Sequence, residues 1–328
     1  MPIESPLIIG VDIGGSKVAA GVVDPSGQIR NSVRVAMNVE NGAAGLAVVK
    51  TAIESVWDAA KLGGRMAGAI QGIGICAPGP LDPDGGVILN PPNLPCWRGF
   101  PLRDEISQAY GVTVRLDNDG NAAALAEALR GAGRGYRNVF YAAIGTGIGT
   151  GIIFDRRIYH GRTGAAAEGG HVSIDYRGPR CHCGKQGCIE VLASGPAIAR
   201  RAAERIAGGR TSAILTQAGG NVEGITADMV GRAYAEGDSL AAEVLQETAT
   251  FLSVWLGNIV DLIEPDVIVI GGGAAPLMKP FFQKIREQLP QWSINPGCQE
   301  IPIVSAHYGE QAGIAGAAAL LLDTSSCA

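Results

Sequence analysis

Cys181-x-Cys183-x4-Cys188 brings three thiols into one short loop, and His171 stands ten positions before the first of them. Three thiolates and one imidazole are the donor set of a closed tetrahedral zinc site, and glycines inside the loop let it turn tightly. Such a set leaves no obvious open position, so the metal would be structural. Two other readings stay open: His182 as the fourth ligand in place of His171, and three merely buried thiols. The loop is flanked by Glu168 and Glu190, and it would clamp these two carboxylates together as acceptors for hydroxyl groups. Acceptor clusters of that kind suit a sugar, whereas two isolated glutamates would be solvated surface.

Leu116-Asp117-Asn118-Asp119-Gly120-Asn121 lies between a predicted strand and a predicted helix, where α/β proteins place catalytic groups. Helix N–H groups hold a carboxylate ionised, and a base must be ionised to take a proton. Asp119 is therefore the candidate general base, with Asn118 orienting the substrate and Asp117 the next carboxylate to test. Helix capping by Asn118 or Asp119 is the competing structural explanation, and the two are compatible.

Asp12-Ile13-Gly14-Gly15-Ser16-Lys17 reads either as an ordinary tight hairpin or as an anion-binding nest, since adjacent glycines leave backbone N–H groups unobstructed. The acidic residue at the strand end and the Ser/Lys at the tip suit a metal-bound nucleotide. A second run, Gly145-Thr146-Gly147-Ile148-Gly149-Thr150-Gly151, carries glycine at every other position, which weakens a strand unless something approaches its backbone closely. With a third loop at Gly271-Gly272-Gly273, the pattern argues for a nucleotide held between two domains. No G-x-x-x-x-G-K-[ST] and no G-x-G-x-x-G occurs, which disfavours P-loop and Rossmann folds.

The elements that must position these groups alternate between strand and helix. Leu7 to Asp24 reads as two β-rich runs meeting at Gly14-Gly15, and Val139 to Asp155 repeats the arrangement some 130 residues later, an internal structural repeat. Each copy would open one α/β domain, and the two would face each other across a cleft. Between them the periodicity predicts a helix over 43–60, a buried strand over 70–75, a Pro/Gly-rich loop over 77–95, a strand over 112–116 and a helix over 121–130 closed by Gly131. The second half reads as helices at 197–207, 226–236 and 239–263, an apolar strand at 267–270, and a small, apolar final helix at 311–322 that packs back on another element. The expected domains are 1–117 with 311–328, and 118–310.

The chain has 328 residues, 48 of them glycine, with 47% apolar and 17% charged side chains, enough for two buried cores. Lys+Arg at 26 against Asp+Glu at 31 leaves a net charge of −5 with no long basic run, so nucleic acid is not an expected partner. The N-terminal residues carry no secretory signal, and the longest small-apolar stretch is too short to cross a bilayer. A soluble, cytoplasmic protein with no membrane partner is expected. Seven cysteines, three of them clustered, suggest metal rather than a disulfide framework.

Together these residues resemble the ROK family, named for bacterial repressors, open reading frames and sugar kinases, and the resemblance covers nearly the whole chain. Asp12 to Lys17 is similar to its first phosphate motif, Ala77-Pro78-Gly79-Pro80-Leu81-Asp82 to its sugar-side loop, and Asn118-Asp119-Gly120-Asn121-Ala122-Ala123 to its catalytic motif. Gly145 to Gly151 is similar to the second phosphate motif, and Glu168-x-Gly170-His171 with the CxCGxxGCxE run to the highly specific zinc and sugar signature. The resemblance implies an actin-like, ribonuclease-H-like fold of two α/β domains with ATP, Mg²⁺ and a hexose in the cleft, a structural Zn²⁺, and a homodimer or dimer of dimers. It implies Asp119 as the base, Gly79, Asn93, Asn118, Glu168, His171 and Glu190 at the sugar, and His171 also at the metal.

The activity implied is phosphorylation of a hexose at its C6 hydroxyl, glucose first. The alternatives are an N-acetylmannosamine, N-acetylglucosamine or fructose kinase and, in a different class, a sugar-binding regulator without turnover. The family's repressors carry a helix-turn-helix segment before the first hairpin, where only about six residues stand here. An intact Asp119 also disfavours a pure binder. Ser16 stands where the family usually has Thr, which keeps the hydroxyl. Gly169 stands where a larger residue is frequent, which would widen the sugar pocket.

Overall fold

The computed structural model describes residues 6–62 and 70–322; the reading of residues 1–5 lies outside them. Contacts divide the chain into two units, Met1–Arg137 with Gly151–Ala167 and Glu310–Ala328, and Asn138–Thr150 with Glu168–Gly309. The helix after Asn118 therefore groups with the first unit, past the boundary expected at 117.

In the first unit, β1 (Leu7–Ile13), β2 (Lys17–Val23) and β3 (Ile29–Ala36) form an antiparallel meander. After α1 (Gly42–Leu62), β4 (Ile70–Ala77) joins β1 in parallel. A two-stranded ribbon, β5 (Leu81–Asp82) with β6 (Val87–Ile88), interrupts the loop expected over 77–95. Then follow α2 (Leu102–Tyr110), β7 (Thr113–Asn118) parallel to β4, and α3 (Asp119–Arg130). The sheet order is β3-β2-β1-β4-β7. β1 and β4 are nearly continuous apolar runs because both faces are covered. One face packs Ile9, Val11, Ile73 and Ile75 with Val49, Ile53 and Trp97. On the other face lies the final helix, which joins Ile8 and Ala19 through Ile314 and Ala318. A Cβ built on Gly10 or Gly74 would fall 2.0 Å from the Ile314 carbonyl oxygen or 1.7 Å from that of Ala317. That helix rests directly on strand backbone, which is why, Ile314 apart, its residues are glycine and alanine. β3, by contrast, alternates half-buried with exposed residues, as a strand solvated on one face does.

The second unit opens with β8 (Val139–Ile144) and β9 (Ile148–Phe154); from Gly151 onward β9 groups with the first unit, as does β10 (Arg157–Ile158). Helices α4 (Ile189–Ala193), α5 (Gly195–Ala207), α6 (Ala213–Gln217), α7 (Ala227–Ala235) and α8 (Ser239–Ile263) come next. β11 (Val267–Gly271), α9 (Ala275–Met278), α10 (Phe282–Gln288) and β12 (Ile303–Ser305) complete it, and α11 (Ala312–Ala319) returns to the first unit. The sheet order is β10-β9-β8-β11-β12, with β9/β10 antiparallel and β8/β11 and β11/β12 parallel. That is the order of the first sheet, strand for strand, so the internal repeat read from the two glycine hairpins is present in the fold. Its hairpin tip is tighter than expected. Gly145 N–H donates to the Gly147 carbonyl at 2.8 Å, and Gly149 and Gly151 lie within β9. α11 packs along α3 and onto β1 and β4, which is the physical reason α3 belongs with the first unit.

Candidate active site and metal centre

β7 delivers Asp117 and Asn118 to the end of the sheet, and α3 begins at Asp119. Asn118 is the N-cap: its Oδ1 accepts from Gly120 N at 2.9 Å and Asn121 N at 3.3 Å. Asp119 is the first helical residue, exposed, with Oδ1 accepting from Gly120 N at 2.8 Å. The cap and the candidate base are thus different residues, and the helix does not need the Asp119 charge to start. A Cβ on Gly79 would lie 3.6 Å from Asn118 Nδ2, so the loop after β4 runs beside that amide donor.

Asp117 is already committed. Its Oδ1 accepts from Asn118 N at 2.7 Å and Asn121 Nδ2 at 3.1 Å, and its Oδ2 is 2.6 Å from His160 Nε2. Only 4% exposed, it anchors the turn and is not placed as a second base. Nothing in the sequence singled out His160, 43 positions away. The hydrogen bond to Asp117 raises the His160 pKa above its usual value, against partial burial, with the Asp117 and Asp84 charges adding to the rise. A raised pKa means the pair contributes most below about pH 6.5 and is lost as pH rises through the folded-state value. The melting-temperature gap between wild type and His160→Gln is therefore expected to be widest in mild acid and to close in alkali. A gap that does not vary with pH would show that the imidazolium is not what Asp117 holds.

At the first hairpin tip, a Cβ on Gly15 would fall 2.7 Å from the Asn93 carbonyl oxygen, so Asn93 sits against the Gly14–Gly15 turn. Ser16 and Lys17 are exposed. Burial raises the Asp12 carboxyl above its usual range, with the Cys76 thiol, Lys17 and Arg34 pulling it back; Cys76 Sγ lies 3.6 Å from its Oδ1. Cys76, fully buried, carries no sequence signal of this role.

In the second unit, Glu190 closes on the other hairpin. Its Oε2 accepts from Ile148 N at 2.8 Å, and a Cβ on Gly147 would lie 2.4 Å from that oxygen. A side chain there would expel the glutamate, so Gly147 has a structural cause beside any ligand. Gly145 and Gly149 have open space at the same position. Gly271 closes β11, and Gly272 adopts φ 88°. Glu190 Oε1 is buried with no hydrogen-bond partner, 3.4 Å from His182 Nδ1 and 3.8 Å from His171 Nδ1. Glu168, exposed, precedes the single 3₁₀ turn Gly169–His171, and α4 carries Glu190 in its first turn. The space beside Gly169 is not pocket: a Cβ there would meet Thr150 Oγ1 at 2.8 Å. The expected widening is therefore filled by a buried threonine.

His171, Cys181, Cys183 and Cys188 bring one donor atom each within 4.8 Å of all the others. Cys183 Sγ is 3.7 Å from Cys188 Sγ, and Cys181 Sγ is 3.7 Å from His171 Nδ1. Donors about 2.0–2.3 Å from a tetrahedral zinc lie roughly 3.5–3.8 Å apart, so the set fits that ion. His182, 75% exposed, has Nδ1 3.9 Å from Cys181 Sγ. The loop turns through Cys181 N–H to the Lys185 carbonyl at 2.8 Å and Gly184 N–H to the Cys181 carbonyl at 3.0 Å. Burial pushes the Cys188 thiol up to about 12, the state a bound cation would reverse.

A family model described as the ROK family matches residues 8–324. The glucokinase of Streptomyces coelicolor is 33% identical over 320 residues, 96% of this chain and 97% of that protein. The crystal structure of a ROK family glucokinase from Streptomyces griseus in complex with glucose and AMPPNP superposes with a TM-score of 0.80 at 34% identity, covering 96% of this chain and 98% of that one. A ROK family transcriptional regulator, homolog of the Escherichia coli Mlc protein, gives a TM-score of 0.86 at 28% identity, over 96% of this chain and 78% of that one. The α/β fold, of the actin-like, ribonuclease-H-like type, is therefore the fold of the ROK glucokinases. Among the described residues no helix is long and apolar enough to cross a membrane. Matched by the family model across both units, and a third identical to a relative over almost its full length, this chain belongs to the ROK family.

Proposed function

We propose that the chain is an ATP-dependent sugar kinase that phosphorylates a hexose at its C6 hydroxyl, with glucose the first substrate to test. The observation that carries this reading is the start of α3: Asn118 caps the helix, His160 is hydrogen-bonded to Asp117, and Asp119 stands exposed as the first helical residue, the carboxylate proposed as the base. Asp119 takes the C6 proton as the hydroxyl oxygen attacks the γ-phosphorus of ATP and ADP leaves. Gly79, Asn93, Asn118, Glu168, His171 and Glu190 are the proposed sugar contacts, and Glu190 Oε1, which accepts no hydrogen bond, is a ready acceptor. The turn residues Gly14, Gly15, Ser16 and Lys17, with Gly145, Thr146, Gly147, Gly271 and Gly272, are the proposed phosphate-binding residues, the Gly14 and Gly145 N–H groups holding their own turns and Lys17 bringing one ammonium. Asp12, whose carboxyl burial disfavours as an anion, is the group a nucleotide-bound Mg²⁺ would keep ionised. When bound, that ion neutralises phosphate charge. His171, Cys181, Cys183 and Cys188 would hold a structural zinc.

The similarity to a transcriptional regulator keeps a second class in view, a sugar-responsive regulator; Asp119, dispensable for the cap, favours the enzyme. A coupled assay across hexoses and N-acetylhexosamines tests both. Turnover of one of them is expected, glucose foremost, with Glu190→Gln raising the sugar KM at least about tenfold and leaving the ATP KM near wild type. Tight sugar binding without turnover would favour the regulator instead.

A further inference from the structure

The peptide of Gly169 is gripped at both ends by side chains distant in sequence. Its N–H donates to Thr150 Oγ1 at 2.9 Å, and its carbonyl accepts from Trp255 Nε1 at 3.1 Å. Thr150 is 4% exposed and Trp255 fully buried, the indole edge-on to Phe140 with ring centroids 5.5 Å apart. Neither glycine of the turn has room for a side chain: a Cβ at 169 would fall 2.8 Å from Thr150 Oγ1 and 3.1 Å from its Cγ2, and one at 170 would fall 1.9 Å from the Ile148 carbonyl oxygen.

The segment so held is a single 3₁₀ turn, Gly169–His171, with no side-chain cap at Glu168. One turn has little cooperative stability of its own, so its orientation must be imposed from outside. It also carries two of the proposed site residues, Glu168 immediately before Gly169 and His171 at its end.

We infer that Thr150 and Trp255 are positioning residues for the sugar site: the hydroxyl and the indole N–H clamp the Gly169 peptide and thereby aim Glu168 and His171. This rests on the reading of Glu168 and His171 as sugar contacts. It also assigns Thr150 a role apart from the glycine hairpin in which the sequence places it.

Thr150→Val keeps the shape and removes the acceptor, leaving a buried N–H unpaired. Hydrogen exchange of the peptide spanning 168–171 is expected to quicken about tenfold, and the hexose KM to rise about tenfold with the ATP KM unchanged. Thr150→Ser, which retains the hydroxyl, is expected to restore both. Trp255→Phe, lacking only the donor at the other end of the clamp, is expected to show the same split and serves if Thr150→Val does not fold. Wild-type exchange at 168–171 in Thr150→Val, or equal rises in both KM values with faster exchange throughout the chain, would overturn the inference. If the wild-type protein phosphorylates no sugar, the kinase reading fails on that result alone. The clamp is then judged by exchange: local acceleration reversed by Thr150→Ser upholds it, and unchanged exchange removes it.

Discussion

Asp119→Asn is expected to abolish most turnover, lowering kcat about 10²–10⁴-fold or more while the fold survives. A sugar hydroxyl is a poor nucleophile until its proton has somewhere to go, and an amide cannot accept it as a carboxylate does. The substitution is conservative for the helix, because the cap is Asn118, with two backbone N–H groups on its Oδ1. Asn at 119 retains a carbonyl oxygen for the Gly120 N–H that Asp119 now accepts. What the helix loses is one negative charge in its first turn, roughly 0.3–1 kcal/mol at an exposed site. Unfolding midpoints and ATP affinity should therefore stay close to wild type while kcat collapses. A variant that melts early but turns over normally per folded molecule would make Asp119 structural. The role of base would then have to be sought elsewhere, and Asp117 is a poor substitute with both its oxygens engaged.

Removal of the metal should have the largest effect on stability. The purified protein is expected to hold about one zinc per chain, and Cys183→Ser to lose it, with a melting temperature lower by about 5 °C or more and reduced activity. Three thiols are drawn to one point with an imidazole; Lys185 favours the ionised form of Cys183, whereas burial first and then the neighbouring thiols raise Cys188, a cost that a bound cation would offset. The same loop joins the two glutamates' neighbourhoods, since Ile189 N–H donates to the Val172 carbonyl at 3.0 Å and Cys188 Sγ to that of His171 at 3.4 Å. Losing the metal should loosen Glu168 and Glu190 together. His171→Ala should release zinc, whereas His182→Ala, at an exposed ring, should retain it. Zinc-free protein with full activity and an unchanged melting curve would remove the metal from the account, and zinc lost from His182→Ala but kept by His171→Ala would exchange the two ligands.

Some of this was legible in the chain because the relevant contacts are local. Asn118 and Asp119 sit at a strand-to-helix junction, where cap chemistry and the start of an apolar period are written within a few residues. The three cysteines lie within one loop, and the two glycine hairpins announced a repeat that the matching strand orders bear out. What sequence could not resolve was which glycines serve packing. Gly147 yields to Glu190 and Gly10 to α11, and neither is distinguishable by type from the glycines with open space. Only the tertiary structure brings His160 to Asp117 across 43 positions, Thr150 to Gly169 across 19 and Trp255 to Gly169 across 86. These pairs have no period and no motif. They exist because elements remote in the chain must bury their apolar faces together, and a polar atom carried inside by that packing has to find its partner wherever the fold has placed one.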